Sequence, residues 1–327
     1  MSIADESDYR QPLERYLRER FPELQGLTIA GMSLLPRGAS NETYRLRMEH
    51  REGANSIAQD LVLRPQRAEG ILEPYDIARQ YRVMAALQES EVPVPRLLCL
   101  EESGDVLGMP FFIMQYVDAE EPPFLWQDET SDPRIDSHAR TLRRIHEVDW
   151  PGRGLAFLGE PAGAEAAVEQ EIDTWLERAR LNAGSVEERL RGLASWLRTN
   201  NAGWGPAVLI HGDPNPGNYL FRGADVVAVI DWELAAISDS RSDLGFYLAI
   251  QTLFLGLMGG TPNDAFVRAY ERAFGEPLRD LAYFEALGLF KLATVALRLP
   301  QFETVRPYLE QALFSRVEKI CGPLPAA

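Results

Sequence analysis

At 327 residues the chain has room for two domains, or for one large domain built as two lobes around a cleft. Hydrophobic residues make up 46% and charged residues 25%, and no apolar run approaches the roughly 20 residues of a membrane-crossing helix, so a globular protein in water is expected. The net charge of −16 argues against a nucleic-acid partner, which needs a basic face; it suits a cationic substrate or a solvated acidic surface.

The opening residues are acidic and lack the basic-then-apolar plan of a secretory signal. Cys99 and Cys321 stand in no metal or redox spacing, so a cytoplasmic protein is expected. In chain order, Leu13 and Leu17 lie four apart among charges and predict a short amphipathic helix over 9–20, on the outside of the fold. Strands are predicted over 28–35, 43–48 and 60–64; in the second, Tyr44, Leu46 and Met48 alternate with Arg45 and Arg47. Residues 38–42 form the turn between the first two. Pro74, in the first-turn position proline tolerates, predicts a helix to about Glu89 with Ile77, Tyr81, Met84 and Leu87 on its apolar face. The VPVP run at 92–95 stops it, and strands follow over 97–101 and 111–117.

After Val117 the texture changes. Helical patterns fill 132–148, 165–182, 186–200, 243–257, 262–274 and 278–297, interrupted only by loops and strands over 205–242. A first domain over 1–117, an antiparallel sheet carrying one helix, and a helical second domain over 118–327 are expected.

The informative stretch is VLI (208–210) leading into HGDPNPGN (211–218), then VVAVIDWE (226–233). It sets Asp213, Asn218 and Asp231 beside buried apolar strands, at spacings of five and thirteen. Taken singly, each could merely turn a loop or cap a turn. Together they supply what phosphoryl transfer asks of a protein: a carboxylate for the attacking hydroxyl and an oxygen pair for Mg²⁺. The four histidines, His50, His138, His146 and His211, sit in no HExxH helix, and there is no GxSxG elbow. A metal-dependent hydrolase using His211, Asp213 and Asp231 is a competing reading with a single histidine to offer.

HGDxxxxN (211–218) followed by VIDWE (229–233) resembles the signature of the aminoglycoside phosphotransferase family, related to choline kinase and more remotely to protein kinases. The resemblance runs from about residue 27 to beyond 290. It implies an α+β, protein-kinase-like, two-lobed fold, ATP or GTP with Mg²⁺, and phosphorylation of a small molecule's hydroxyl. Asp213 becomes the catalytic base, Asn218 and Asp231 the metal ligands, and His211 a structural residue. Asp243 would support the loop, and His146 would be a hydrogen-bonded core or capping residue. LPRGASNETY (35–44) resembles the family's loop over the nucleotide phosphates, which places Gly38, Ser40 and Asn41 on the nucleotide, although alone it reads as a hairpin turn. MQYV (114–117) would be the hinge meeting the purine, through Gln115 and Val117.

Two departures stand out. LVLR (61–64) puts Arg64 where related kinases carry the phosphate-binding lysine, and Gln80 stands where its glutamate partner would align. Arginine grips phosphate through a fork, and Arg64 could donate to the Gln80 amide oxygen. A variant active site and a pseudokinase that binds nucleotide without turnover both follow from this; intact Asp213, Asn218 and Asp231 favour the enzyme. Arg64 with VPVPR (92–96) is similar to a branch associated with acyl-CoA dehydrogenases, which implies hydroxylated acyl substrates.

Overall fold

The computed structural model describes residues 6–35, 42–66, 75–120, 122, 125–126, 132–182, 186–200, 202–255, 264–297 and 300–324. Gly38, Ser40, Asn41 and Pro74 lie outside the described residues. The chain divides into two compact units: Met1–Gln88 with Pro95–Asp118, and Glu89–Val94 with Ala119–Ala327.

The first unit is built on a five-stranded antiparallel sheet in the order β1-β2-β3-β5-β4. Its strands are β1 (Gln25–Leu34), β2 (Tyr44–Glu52), β3 (Asn55–Pro65), β4 (Leu97–Glu101) and β5 (Phe111–Gln115). The period of two in β2 decides its faces: Tyr44, Leu46 and Met48 are fully buried, while Arg45 and Arg47 turn away and share Asp60. Helix α1 (Glu6–Arg20) covers the apolar face. Tyr9, Leu13 and Leu17 join one core with Leu27, Ile29, Leu61, Leu63, Phe111 and Ile113. Two bonds pin it to β1: Arg18 Nε donates to Leu27 O at 2.6 Å, and Ile29 N donates to Glu14 Oε2 at 2.8 Å. The helix expected on the outside is thus the second layer of this core.

Helix α2 (Ile77–Leu87) begins with Asp76, whose carboxylate accepts from Arg79 N at 2.8 Å. It meets the opposite side of the sheet, with Tyr81 against Phe112. Its fully buried stripe is Ile77, Gln80, Val83, Met84 and Leu87, so Tyr81 flanks the stripe instead of leading it.

The second unit is mainly helical: α3 (Arg134–His146), α4 (Ala164–Asn182), α5 (Glu187–Thr199), α6 (Arg241–Ile250), α7 (Ala265–Phe274), α8 (Leu281–Ala296) and α9 (Arg306–Cys321). The pattern expected to run helically to 257 is α-helical to Ile250 and continues as a π-turn over Gln251–Leu255. Helix α9, with Leu309, Leu313, Phe314 and Val317 buried, lies beyond the last helix expected, over 278–297. Two hairpins complete the unit. Strand β6 (Ala207–Ile210) pairs with β9 (Ala236–Asp239), and β7 (Tyr219–Arg222) with β8 (Asp225–Val229). The segment Glu89–Val94 belongs here because Val229 N donates to Pro93 O at 2.7 Å.

Helices α6 and α8 cross at glycine on glycine. A Cβ on Gly245 would stand 2.0 Å from Phe284 O, and one on Gly288 would stand 2.4 Å from Gly245 O. Only hydrogen fits at either position. This contact fixes α6, which carries Asp243 beneath the polar loop after β6.

Candidate active site

Strand β6 ends in buried Leu209 and Ile210, and the chain then turns sharply at Gly212, where φ is +85°. A Cβ there would lie 2.2 Å from Leu234 O, so glycine is required by backbone angle and by space. Asp243 holds the turn from below. Its carboxylate accepts from His211 N at 2.9 Å and from Gly212 N at 2.7 Å, and it meets His146 Nε2 at 2.9 Å. The other nitrogen of His146 lies 2.6 Å from the Tyr270 hydroxyl. Burial opposes ionisation of Asp243, but the His146 bond and the backbone donors outweigh it and hold its carboxyl below the usual range. This buried Asp243–His146–Tyr270 chain anchors the loop's backbone and reaches no solvent.

His211 is equally committed. Nε2 lies 3.0 Å from Ile230 O, Nδ1 accepts from Asp213 N at 3.3 Å, and the ring packs on Trp232. Burial lowers its pKa, so the neutral ring donates from Nε2 and accepts at Nδ1. With both nitrogens engaged inside the protein, His211 is not a metal ligand, which removes the basis of the hydrolase reading.

The loop then presents three polar side chains together. Asn218 Nδ2 donates to the backbone oxygen of Asp213 at 2.9 Å and to its Oδ2 at 3.0 Å, while Asn215 Nδ2 donates to Oδ1. Asn215 went unnoticed in the sequence, although it stands between two polar residues in a proline-bounded loop. Asn218 is held in turn: its N–H donates to Asn215 O, and its own oxygen accepts from Ile230 N at 2.9 Å. The second bond brings the residue before Asp231 alongside. Asp231 itself adopts φ 65°, a left-handed conformation that costs a non-glycine residue about 1 kcal/mol. Burial, and then the charge of Asp231, push the Asp213 carboxyl up to about 7, against the pull of Asn218. The negative charge of Asp231 thus acts on the Asp213 carboxyl and opposes its ionisation.

A divalent cation would relieve that repulsion. Since Nδ2 of Asn218 is spent on Asp213, its Oδ1 is the atom left to offer, and the carboxylate of Asp231 supplies a second hard oxygen. Among the described residues no three His, Cys, Asp or Glu side chains cluster to hold a metal unaided. Mg²⁺ takes one or two protein oxygens and completes its shell with water and phosphate, so these two oxygens are the ones that could hold it.

Two buried ion pairs support the frame. Lys291 donates to Glu171 Oε1 at 2.6 Å, and Glu171 also accepts from Ser238 at 2.6 Å and from Ser242. Arg241 makes a fork to Asp239 and reaches the carbonyls of Ala202, Gly203 and Arg279. Sequence reasoning picked out neither pair.

The remaining expected residues belong to the first unit. Arg64 is buried on β3 opposite Phe112, and Gln80 is buried on α2. Both hold contacts, but Gln80 Oε1 accepts no hydrogen bond, so the expected bond from Arg64 to that atom is not formed. Gln115 is exposed at the end of β5 with its N–H on Arg96 O, and Val117 is half-buried just beyond.

The chain belongs to the Phosphotransferase enzyme family, whose sequence model matches residues 31–286. Among curated proteins it is 31% identical over 250 residues to mouse Acyl-CoA dehydrogenase family member 10, covering 72% of this chain and 21% of that protein. It is 27% identical over 315 residues to chicken Acyl-CoA dehydrogenase family member 11, covering 87% and 38%. The chain thus spans only about a fifth to two fifths of these relatives' lengths.

Solved structures share the fold. A Ralstonia eutropha chain assigned as an aminoglycoside phosphotransferase superposes with a TM-score of 0.65 at 23% identity, covering 94% of this chain and 98% of that one. The macrolide 2′-phosphotransferase of Brachybacterium faecium gives 0.54 at 17%, covering 96% and 99%. A thermostable aminoglycoside phosphotransferase mutant, in ternary complex with AMP-PNP and hygromycin B, gives 0.60 at 15%, covering 96% and 100%. The fold is the α+β, kinase-like fold of the aminoglycoside phosphotransferases, and the family match places the chain among phosphotransferase enzymes. Among the described residues no helix is long and apolar enough to cross a membrane.

Proposed function

We propose that the chain transfers the γ-phosphoryl group of ATP or GTP, with Mg²⁺, to the hydroxyl of a small molecule, with Asp213 as base and Asn218 and Asp231 as metal ligands. The observation that carries this reading is the Asp213 carboxylate gripped by two amides, with the charge of Asp231 acting on it. Mg²⁺, when bound, would offset the charge on the phosphate oxygens. Asp213 orients the attacking hydroxyl and accepts its proton, and the Asn215 and Asn218 amides fix the direction of its oxygens. Asp243 and His146 keep the backbone beneath that carboxylate from shifting. Arg64 binds phosphate with Gln80 beside it, Gly38, Ser40 and Asn41 cover the phosphates, and Gln115 and Val117 meet the base. A hydroxylated acyl compound is the favoured acceptor, because the curated relatives are named as acyl-CoA dehydrogenase family members. In this reading the protein acts in the cytoplasm, with neither nucleic acid nor membrane as a partner.

Calorimetric titration of ATP, with and without Mg²⁺, into the wild type and Asp231→Asn tests the site. Affinity that rises with Mg²⁺ in the wild type alone supports the metal assignment; equal Mg²⁺ dependence in both overturns it. Nucleotide binding with no transfer to any acceptor would favour the pseudokinase, the reading that the Arg64 and Gln80 departures keep in view.

A further inference from the structure

Glu171, on α4, has no part in the chemistry above, yet its carboxylate ties together three other elements beside the polar loop. Lys291 Nζ, on α8, donates to Oε1 at 2.6 Å, and Ser238 Oγ, on β9, donates to Oε2 at 2.6 Å. Ser242 Oγ, in the first turn of α6, stands 2.8 Å from Oε1 and 2.9 Å from Oε2, its one proton shared between them. Lys291 Nζ also lies 3.4 Å from Ser242 Oγ, which closes a triangle of lysine, serine and glutamate. All four side chains are buried.

A buried ion pair is on balance no more stabilising than apolar side chains of the same volume. What this one supplies is direction. Ser238 and Ser242 stand on either side of the corner where β9 ends at Asp239 and α6 begins at Arg241, so one carboxylate spans that corner from α4. Ser240, just before α6, adds no cap bond from its side chain. Asp243 follows Ser242, about 100° further round the helix. One face of the first turn is thus held by Glu171, and the adjoining face carries the carboxylate that accepts from His211 N at 2.9 Å and Gly212 N at 2.7 Å.

The glycine crossing at Gly245 sets how closely α6 approaches α8. The bond at Ser242 fixes the rotation of α6 about its own axis, and so where the Asp243 carboxylate points. We propose that Glu171 is a positioning residue: its bond to Ser242 sets the first turn of α6 and, through Asp243, the place of the loop that carries Asp213. The Lys291 charge is also felt at Asp213, where it favours the ionised carboxyl. This inference rests on the assignment of Asp213 as base.

The test compares Ser242→Ala with Ser238→Ala. Each removes one hydroxyl from the same carboxylate and leaves the Glu171–Lys291 pair, but only Ser242 adjoins Asp243. ADP release from Mg·ATP, with water as acceptor, gives kcat and KM. Hydrogen exchange of the His211 and Gly212 amides, which donate to Asp243, reports the loop's anchor without needing turnover. Ser242→Ala should lower kcat about tenfold or more, with KM for ATP within about twofold, because small displacements of a reacting group cost rates of that order. Its two amides should exchange about tenfold faster, the mark of an easier local opening. Ser238→Ala should keep kcat and both amides within about twofold of wild type, whatever it costs in melting temperature. Ser242→Ala with wild-type kcat or wild-type amide exchange overturns the proposal. So does a Ser238→Ala variant that loses as much as Ser242→Ala, since the cluster then serves stability alone. If Ser242→Ala does not fold, Ser242→Cys, close to serine in size and only a weak donor, takes its place under the same expectations. No ADP from the wild type, or wild-type ADP release by Asp213→Asn, fails the assignment of Asp213 as base, and the amide comparison then decides alone for or against Glu171.

Discussion

Asp243→Asn is an isosteric change at a carboxylate that accepts from two backbone N–H groups, at 2.9 and 2.7 Å, and meets His146 at 2.9 Å. An asparagine can present one oxygen. Its NH₂ must then point at a group that was donating, so one bond to a charged acceptor is lost and one buried donor faces another. The first loss is worth about 1.5–3 kcal/mol and the second about 1–3, which together give roughly 3–5 kcal/mol. In a unit of this size that lowers the melting temperature by roughly 10 °C, measurable by circular dichroism. The sign of the pH dependence follows from the depressed pKa. The unfolded chain binds the Asp243 proton more readily than the folded one, so the wild-type advantage is complete above about pH 4 and fades as pH falls through the folded value. The gap between wild type and variant should therefore be widest at neutral pH and narrow in acid. A variant melting within about 2 °C of wild type at pH 7, or a gap that widens in acid, would refute the reasoning.

The Glu171–Lys291 pair should behave as a buried pair broken from one side. Lys291→Met should cost about 3–5 kcal/mol, and Lys291→Met with Glu171→Leu should recover part of it in thermal melts; a double variant worse than the single contradicts this. Burial pushes the thiols of Cys99 and Cys321 up to about 12 each, so thiolate is scarce at pH 8. Both should react with a disulfide reagent far more slowly in the folded protein than in denaturant, and fast labelling of the folded chain would count against their burial.

How much of this was legible in the sequence depends on how local each signal is. The alternation in β2, the strand–loop–strand around Asp213 and the polar residues at 213, 218 and 231 are properties of neighbours in the chain, and the sequence displays them openly. Strand ends moved by a few residues because pairing, not propensity, ends a strand: β3 reaches back to Asn55 to match Glu52 across the hairpin. Helix α9 had a readable apolar spacing in Leu309, Leu313 and Val317, though it carries no chemistry to draw attention. The supports of the site were different in kind. His146 meets Tyr270 across 124 positions, and Lys291 meets Glu171 across 120. Nothing in a lone histidine or lysine within an apolar helix names a partner that far away; only the packed fold does. Resemblance supplied the supporting role of Asp243, whereas Asn215 has no such precedent in the sequence reading and came from the geometry.

Transfer of ³²P from γ-labelled ATP to a panel of hydroxylated acyl acceptors, with wild type and Asp213→Asn side by side, tests the central claim most directly. The expected result is a phosphorylated product that needs Mg²⁺ and falls by about 10²–10⁴-fold in the variant while nucleotide affinity holds. Wild-type turnover in Asp213→Asn, or no product from ATP or GTP by a wild-type protein that binds them, would contradict it.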